Sequence, residues 1–215
     1  MSRKADRLEA TFEALTEAEV DRVTATYAPL TEAVRQLIDA TVRTQADDDL
    51  IARARTAIEA VTRSLLRQRT RPAGVSYRVD GRPLPLSNAA TGECNPIAPP
   101  MIVHHEPDGR CWSEFVLGPA YEGPPGLVHG GVCALVLDQM LGEAASEALT
   151  QPLFTGTITI KYLRGTPLGP LRAEAFVERS EGIKTFAHGH LSDATGTTVE
   201  AEGVFIKPAW AREAE

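Results

Sequence analysis

The chain has 215 residues, with 22 Lys and Arg against 29 Asp and Glu and a formal net charge of -7. That length allows one domain plus an appendage, and a composition 43% hydrophobic and 24% charged is ordinary for a globular protein. The negative balance argues against a nucleic-acid partner, which calls for a basic surface, and no run of ~18 apolar residues is present, so no membrane span is expected. The N-terminus, MSRKADRLEATFEAL, lacks the apolar core of a secretory leader. Cys94, Cys111 and Cys133 have no paired spacing, which fits reduced thiols and a cytoplasmic location.

Residues 1–70 read as a helical N-terminal extension. Thr16 and Glu19 have capping-box spacing, with Val20, Val23 and Tyr27 following as a short first helix. Leu30, Val34, Leu37, Ile38 and Val42 mark one face of a second helix. Ile51, Ala54, Ile58, Val61 and Leu65 then alternate steps of three and four, an amphipathic seam capped by the acidic QADDD at 45–49. These two are expected to form a helical hairpin. Residues 71–100, rich in Pro, Gly, Asn and Ser, read as an irregular connection.

From 101 to 208 the periodicity changes. MIVHHEPDGRCWSEFVLG holds a Pro-Asp-Gly turn between two extended runs. An apolar helix is expected from Val132 to Leu149, followed by four extended segments: TGTITIKYL, LRAEAFVER, KTFAHGHLS and TTVEAEGVFIK, the last two joined by a turn at 193–196. Strands with short links pair antiparallel. The expected architecture is α+β, one long helix against a curved sheet, with a short tail at 209–215.

The helix GGVCALVLDQMLGEAA is apolar nearly all round, as befits a buried helix, and its polar residues Gln139, Glu143, Ser146 and Glu147 come mostly in the second half. Asp138 stands mid-helix with no Lys or Arg three or four residues away. An unpaired buried carboxylate is costly, so it either reaches solvent or a nearby donor, or it performs chemistry. Gly130 and Gly131 open the same helix, where free N–H groups and a positive partial charge suit an oxyanion; a plain glycine start is the structural alternative. Eight residues separate Gly130 from Asp138, roughly 12 Å along a helix. Both groups must lie about 3 Å from one reacting carbon. One helix does not span that gap, whereas two antiparallel helices across a two-fold axis would give two composite sites per dimer.

At this point GPPGLVHGG, with an Asp nine residues after the His, resembles the hotdog-fold acyl-CoA thioesterases of the PaaI-type branch, and TGTITIKYLRGTPL, EGIKTF and EAEGVFIKP are similar to that family's later strands. The resemblance covers roughly residues 95–208. It implies a hotdog fold, a five- or six-stranded antiparallel sheet wrapped around one helix, in homodimers and often homotetramers, hydrolysing acyl-CoA to free acid and coenzyme A without a further cofactor or metal. By the same resemblance Gly130 N–H polarises the thioester carbonyl, His129 lines the site and shapes the turn, Asp138 acts as general base or nucleophile, and Thr155 helps hold the water. Gly131 accompanies Gly130 at the substrate. Many relatives carry an Asn shortly before the His, absent from YEGPPGLV here. Close relatives often read EGRK and KRP where this chain reads EGIK and LRG, so Ile183 loses a cation, and Lys161, Arg164 and Lys184 are the remaining candidates for coenzyme A phosphates.

Leu135, Met140 and Leu141 flank Asp138 at helical spacing and are expected to line the acyl pocket. His188 and His190 share one strand face without assignable further ligands for a metal. Neither a G-x-S-x-G elbow nor a strand-to-helix G-x-G-x-x-G is present. The alternative to an enzyme is a non-catalytic acyl-CoA-binding or sensing protein on the same fold, which would have no need of a base at Asp138. A hotdog hydratase is a weaker third reading.

Overall fold

The structure is a computed structural model that describes residues 12–68, 76–79 and 82–212. The expectations for 1–11, 69–75 and the end of the tail lie outside these residues. The N-terminal part begins with β1 (Phe12–Leu15), followed by α1 (Glu17–Arg43) and α2 (Asp48–Leu66). The capping box closes as expected: the Thr16 side chain accepts from Glu19 N–H, and the Glu19 carboxylate accepts from Thr16 N–H. The expected short first helix is a correction. It and the second helix are one continuous α1 that runs through Pro29.

Proline lacks the N–H for its place in the ladder and normally kinks or ends a helix. Contacts along α1 hold it nonetheless. Thr24 donates to Glu93, Arg35 donates to the Ala98 carbonyl, and Asp39 accepts from Ala120 N–H at 3.0 Å. The expected hairpin is a second correction, since every residue of α2 is exposed. The third lies in the connection. It contains β2 (Ser76–Val79) and β3 (Arg82–Leu84), which join β1 in a small sheet with β1 and β2 parallel and β2 and β3 antiparallel.

The main body holds β4 (His104–His105), β5 (Cys111–Leu117), α3 (Gly130–Ala145), β6 (Phe154–Tyr162), β7 (Gly169–Glu181), β8 (Lys184–Asp193) and β9 (Gly196–Ile206). The six strands form one sheet in the order β4-β5-β7-β8-β9-β6, with every pairing antiparallel. This is the expected α+β hotdog layout. α3 ends at Ala145, short of the expected Leu149, because Glu147, Ala148 and Leu149 turn through positive φ.

α3 packs on one face of the sheet. Val136, Leu137, Met140 and Leu141 are fully buried against Ala173, Ala175, Ala187, Leu191, Val199, Ala201 and Phe205. Small sheet residues let the helix approach closely. A Cβ on Gly189 or Gly203 would stand 3.3 Å from the Leu141 methyls. The second half of α3 is as deep as the first although most of its polar residues lie there, for Glu143, Ala144, Ala145 and the C-cap Ser146 are all buried. The side away from the sheet is open: Gly131 and Leu135 are exposed and Asp138 and Gln139 are half-buried.

Candidate functional site

The site begins at the loop before α3. Gly126 adopts φ +75°, a conformation glycine enters without steric cost. The Glu122 carboxylate accepts from Gly126 N–H, Val128 N–H donates to the Thr166 carbonyl, and Leu168 N–H donates to Gly126. Tethered to 166–168, the loop delivers His129 as the N-cap of α3.

Two side chains then grip a single peptide. His129 Nδ1 accepts from Gly131 N–H at 3.0 Å, and the Tyr162 hydroxyl donates to the Gly130 carbonyl at 2.9 Å. The carbonyl of Gly130 and the N–H of Gly131 belong to the same peptide unit, so both its ends are fixed. Gly130 N–H, one peptide earlier, makes no hydrogen bond among the described residues. Of the two glycines, Gly130 therefore keeps a free donor while Gly131 N–H is already used.

Asp138 lies farther along the open side. Its Oδ1 accepts from the Thr155 hydroxyl at 2.9 Å, and among the described residues no cation pairs with it. A bulge between Thr155 and Thr157, in the pairing of β6 with β9, sits at this contact, a device that re-aims side chains beside functional sites. Tyr162 and Thr155 stand seven residues apart on β6, roughly 23 Å along an extended strand. Gly130 and Asp138 are thus held near opposite ends of β6, eight residues apart on the open side of α3.

The remaining expected residues divide. Leu135 is on the open side, 36% exposed. Met140 and Leu141 belong to the helix–sheet core, turned from Asp138 by the helical rotation that separates the two faces. Arg164 is engaged: both its terminal nitrogens bond the Asp193 carboxylate, and one also reaches the Gly196 carbonyl. This grip holds the Asp193 carboxyl well below the usual carboxylate range. Lys161 stands 3.5 Å from Glu200, its cross-strand neighbour. Lys184 makes no ion pair among the described residues and pairs with Ile206, at the Phe154 end of β6, so the three cations do not converge within one chain. His188 and His190 lie against Glu178 and Glu174 on the sheet.

The sequence reading overlooked Glu143. It is the buried acid of α3, 6% exposed, accepting from Gln139 Nε2 at 2.8 Å with His105 Nε2 at 3.4 Å. The i, i+4 spacing of Gln139 and Glu143 was the available signal. Burial, then the Glu143 charge, push the neighbouring Cys111 thiol up to about 12, and burial raises Cys133 as well. Neither is a thiolate at neutral pH.

A family model described as the thioesterase superfamily matches residues 125–209, the span from the glycine loop through β9. Acyl-coenzyme A thioesterase THEM4 of Xenopus laevis is 35% identical over 109 residues, covering 49% of this chain and 49% of that protein. The same-named protein of Bos taurus is 32% identical over 110 residues, 50% of this chain and 45% of the relative. The chain spans about half the length of the curated relatives it matches. A crystal structure described as a thioesterase superfamily protein aligns with a TM-score of 0.75 at 30% identity, covering 84% of this chain and 90% of that one. That share is larger than the family match, so the likeness includes residues N-terminal to it.

Proposed function

This chain belongs to the thioesterase superfamily, and from that premise we propose that it hydrolyses acyl-CoA thioesters to a free carboxylic acid and coenzyme A. The observation that carries the reading is Asp138, on the open side of a largely apolar helix, held by a hydroxyl and faced by no cation among the described residues. Thr155 fixes one carboxylate oxygen and leaves the other for a water. Asp138 takes a proton from that water as its oxygen bonds the thioester carbon. The carbonyl oxygen gains charge against Gly130 N–H. The carbon–sulfur bond then breaks, and the thiolate receives the proton as free coenzyme A. Direct attack by the Asp138 carboxylate, with water cleaving the resulting anhydride, gives the same products.

The two groups act from different copies of the chain in this reading. Leu135, Phe154, Tyr162 and Leu163 are exposed apolar residues along α3 and the edge strand β6, a surface suited to a two-fold partner. Antiparallel pairing of two α3 helices brings the Gly130 end of each to the Asp138 end of the other. Lys184 of one copy then approaches Lys161 of the other, a cationic rim for coenzyme A phosphates.

Thiol release measured across short, medium, long and aromatic acyl-CoAs tests the reaction. Turnover on the order of 1–10 per second is expected for at least one class. Tight acyl-CoA binding with no thiol released from any class would instead establish the non-catalytic, sensing alternative.

The placement of the apolar residues predicts a split. Leu135→Ala should shift chain-length preference, read as kcat/KM across the series, by ~10-fold, since a methylene in an apolar pocket is worth about 1 kcal/mol or more. Leu141→Ala should cost about 2–5 kcal/mol of stability in denaturant unfolding and leave that preference in place. A changed preference in Leu141→Ala with normal stability would move Leu141 from the core to the acyl pocket.

A further inference from the structure

α2 is an amphipathic helix without a partner among the described residues. All of it is exposed, including Ile51 at 45%, Ile58 at 41%, Val61 at 56% and Leu65 at 54%. In proteins a helix such as this 19-residue one draws most of its stability from a covered apolar face rather than from its own propensity. The 3-4-3-4 spacing of Ile51, Ala54, Ile58, Val61 and Leu65 is that of helix-on-helix packing.

Charge identifies the occupant. Asp47, Asp48 and Asp49 stand at the start of α2 and Arg63 and Arg67 at its end, while Glu59 is flanked by Arg55 and Arg63, each at 3.8 Å. With Arg53, the helix and its caps carry four acids and four bases, no net charge to draw it to an anionic membrane. A parallel copy would set the three Asp against the same three Asp. An antiparallel copy centred on Ile58 sets Asp49 against Arg67, with Arg53 opposite Arg63 as the one like-charge pair, and opposes the helix dipoles favourably.

We infer that α2 is an interaction surface for a second copy of this chain, whose own α2 packs antiparallel along the Ile51–Leu65 seam about a two-fold axis at Ile58. Ile51 and Leu65 lie seven residues to either side of that axis. The pairing is isologous, each copy offering the same stripe. It is separate from the α3 groove and independent of the reaction proposed for it.

Cysteine cross-linking in the full chain tests this, with Cys94→Ser removing the one cysteine that is not buried. Under mild oxidation Ile58→Cys should give a disulfide-linked dimer. Ile51→Cys and Leu65→Cys should each fail to link to themselves, because their copies are roughly 21 Å apart in the antiparallel pair, beyond disulfide reach. An equimolar mixture of those two should link. Self-linking of Ile51→Cys as readily as Ile58→Cys would overturn the antiparallel arrangement. An Ile58→Cys thiol that reacts freely with a maleimide but forms no dimer would overturn self-pairing. Transfer of a fluorophore at that position into phosphatidylcholine–phosphatidylserine vesicles would identify a membrane as the true occupant and overturn the inference.

Discussion

Asp138→Asn is expected to lower turnover by at least ~100-fold while acyl-CoA affinity stays within a few-fold. The amide keeps the shape of the carboxylate and still offers an oxygen to the Thr155 hydroxyl, so the groove and that contact survive. What disappears is the capacity to take a proton from water or to attack carbon. Lost general-base chemistry of this kind typically costs 10²–10⁴ in rate. A hundredfold corresponds to about 2.7 kcal/mol of transition-state stabilisation. Because the loss falls on the reacting centre, it should appear in kcat rather than KM. Steady-state kinetics and a binding isotherm on the same preparation separate the two. Near-normal kcat in a folded variant would leave Asp138 a structural acid and return the site to the binding alternative.

The parts of the fold visible in the sequence were those written in local periodicity. Alternation marked β6 to β9, the turn at 193–196 joined the last two, and the apolar run after Gly130 marked α3. The capping box at Thr16 is likewise local and closes as read. What the sequence hid depends on partners distant along the chain. Pro29 is a residue that ordinarily kinks or ends a helix, yet contacts from Thr24, Arg35 and Asp39 hold α1 through it. The three short strands near the N-terminus carry too few residues for an alternation to register, and two of them pair parallel across some sixty intervening residues.

The same division runs through the site. Gly130 and Asp138 were conspicuous as residue types in the wrong surroundings: glycine opening a helix, and an acid in mid-helix with no base three or four residues away. The grip of His129 and Tyr162 on one peptide, which leaves Gly130 N–H rather than Gly131 N–H free, needs residues 32 positions apart to meet. Glu143 looked like a surface acid because only tertiary packing brings His105 to it. Met140 and Leu141 were grouped with Leu135 by spacing near Asp138. At 100° per residue they point roughly 120–140° away from Leu135, toward the sheet.

The central claim is a site built from two copies, with Gly130 of one serving the thioester attacked from Asp138 of the other. Its most direct test is subunit complementation. Gly130→Val places a branched side chain where even a Cβ stands 3.3 Å from the Tyr162 ring, obstructing the donor. Asp138→Asn removes the base. Each variant alone has a lesion in both of its sites and should be nearly inactive. After the two are mixed in equal amounts and allowed to exchange, about half of the dimers should be heterodimers, each with one doubly damaged site and one intact site. Thiol release should therefore return to roughly a quarter of the wild-type rate at equal total protein. Demonstrated subunit exchange, by native mass spectrometry of a tagged copy, with no recovery of thiol release would mean that both groups act from one chain, and the two-copy site would be wrong.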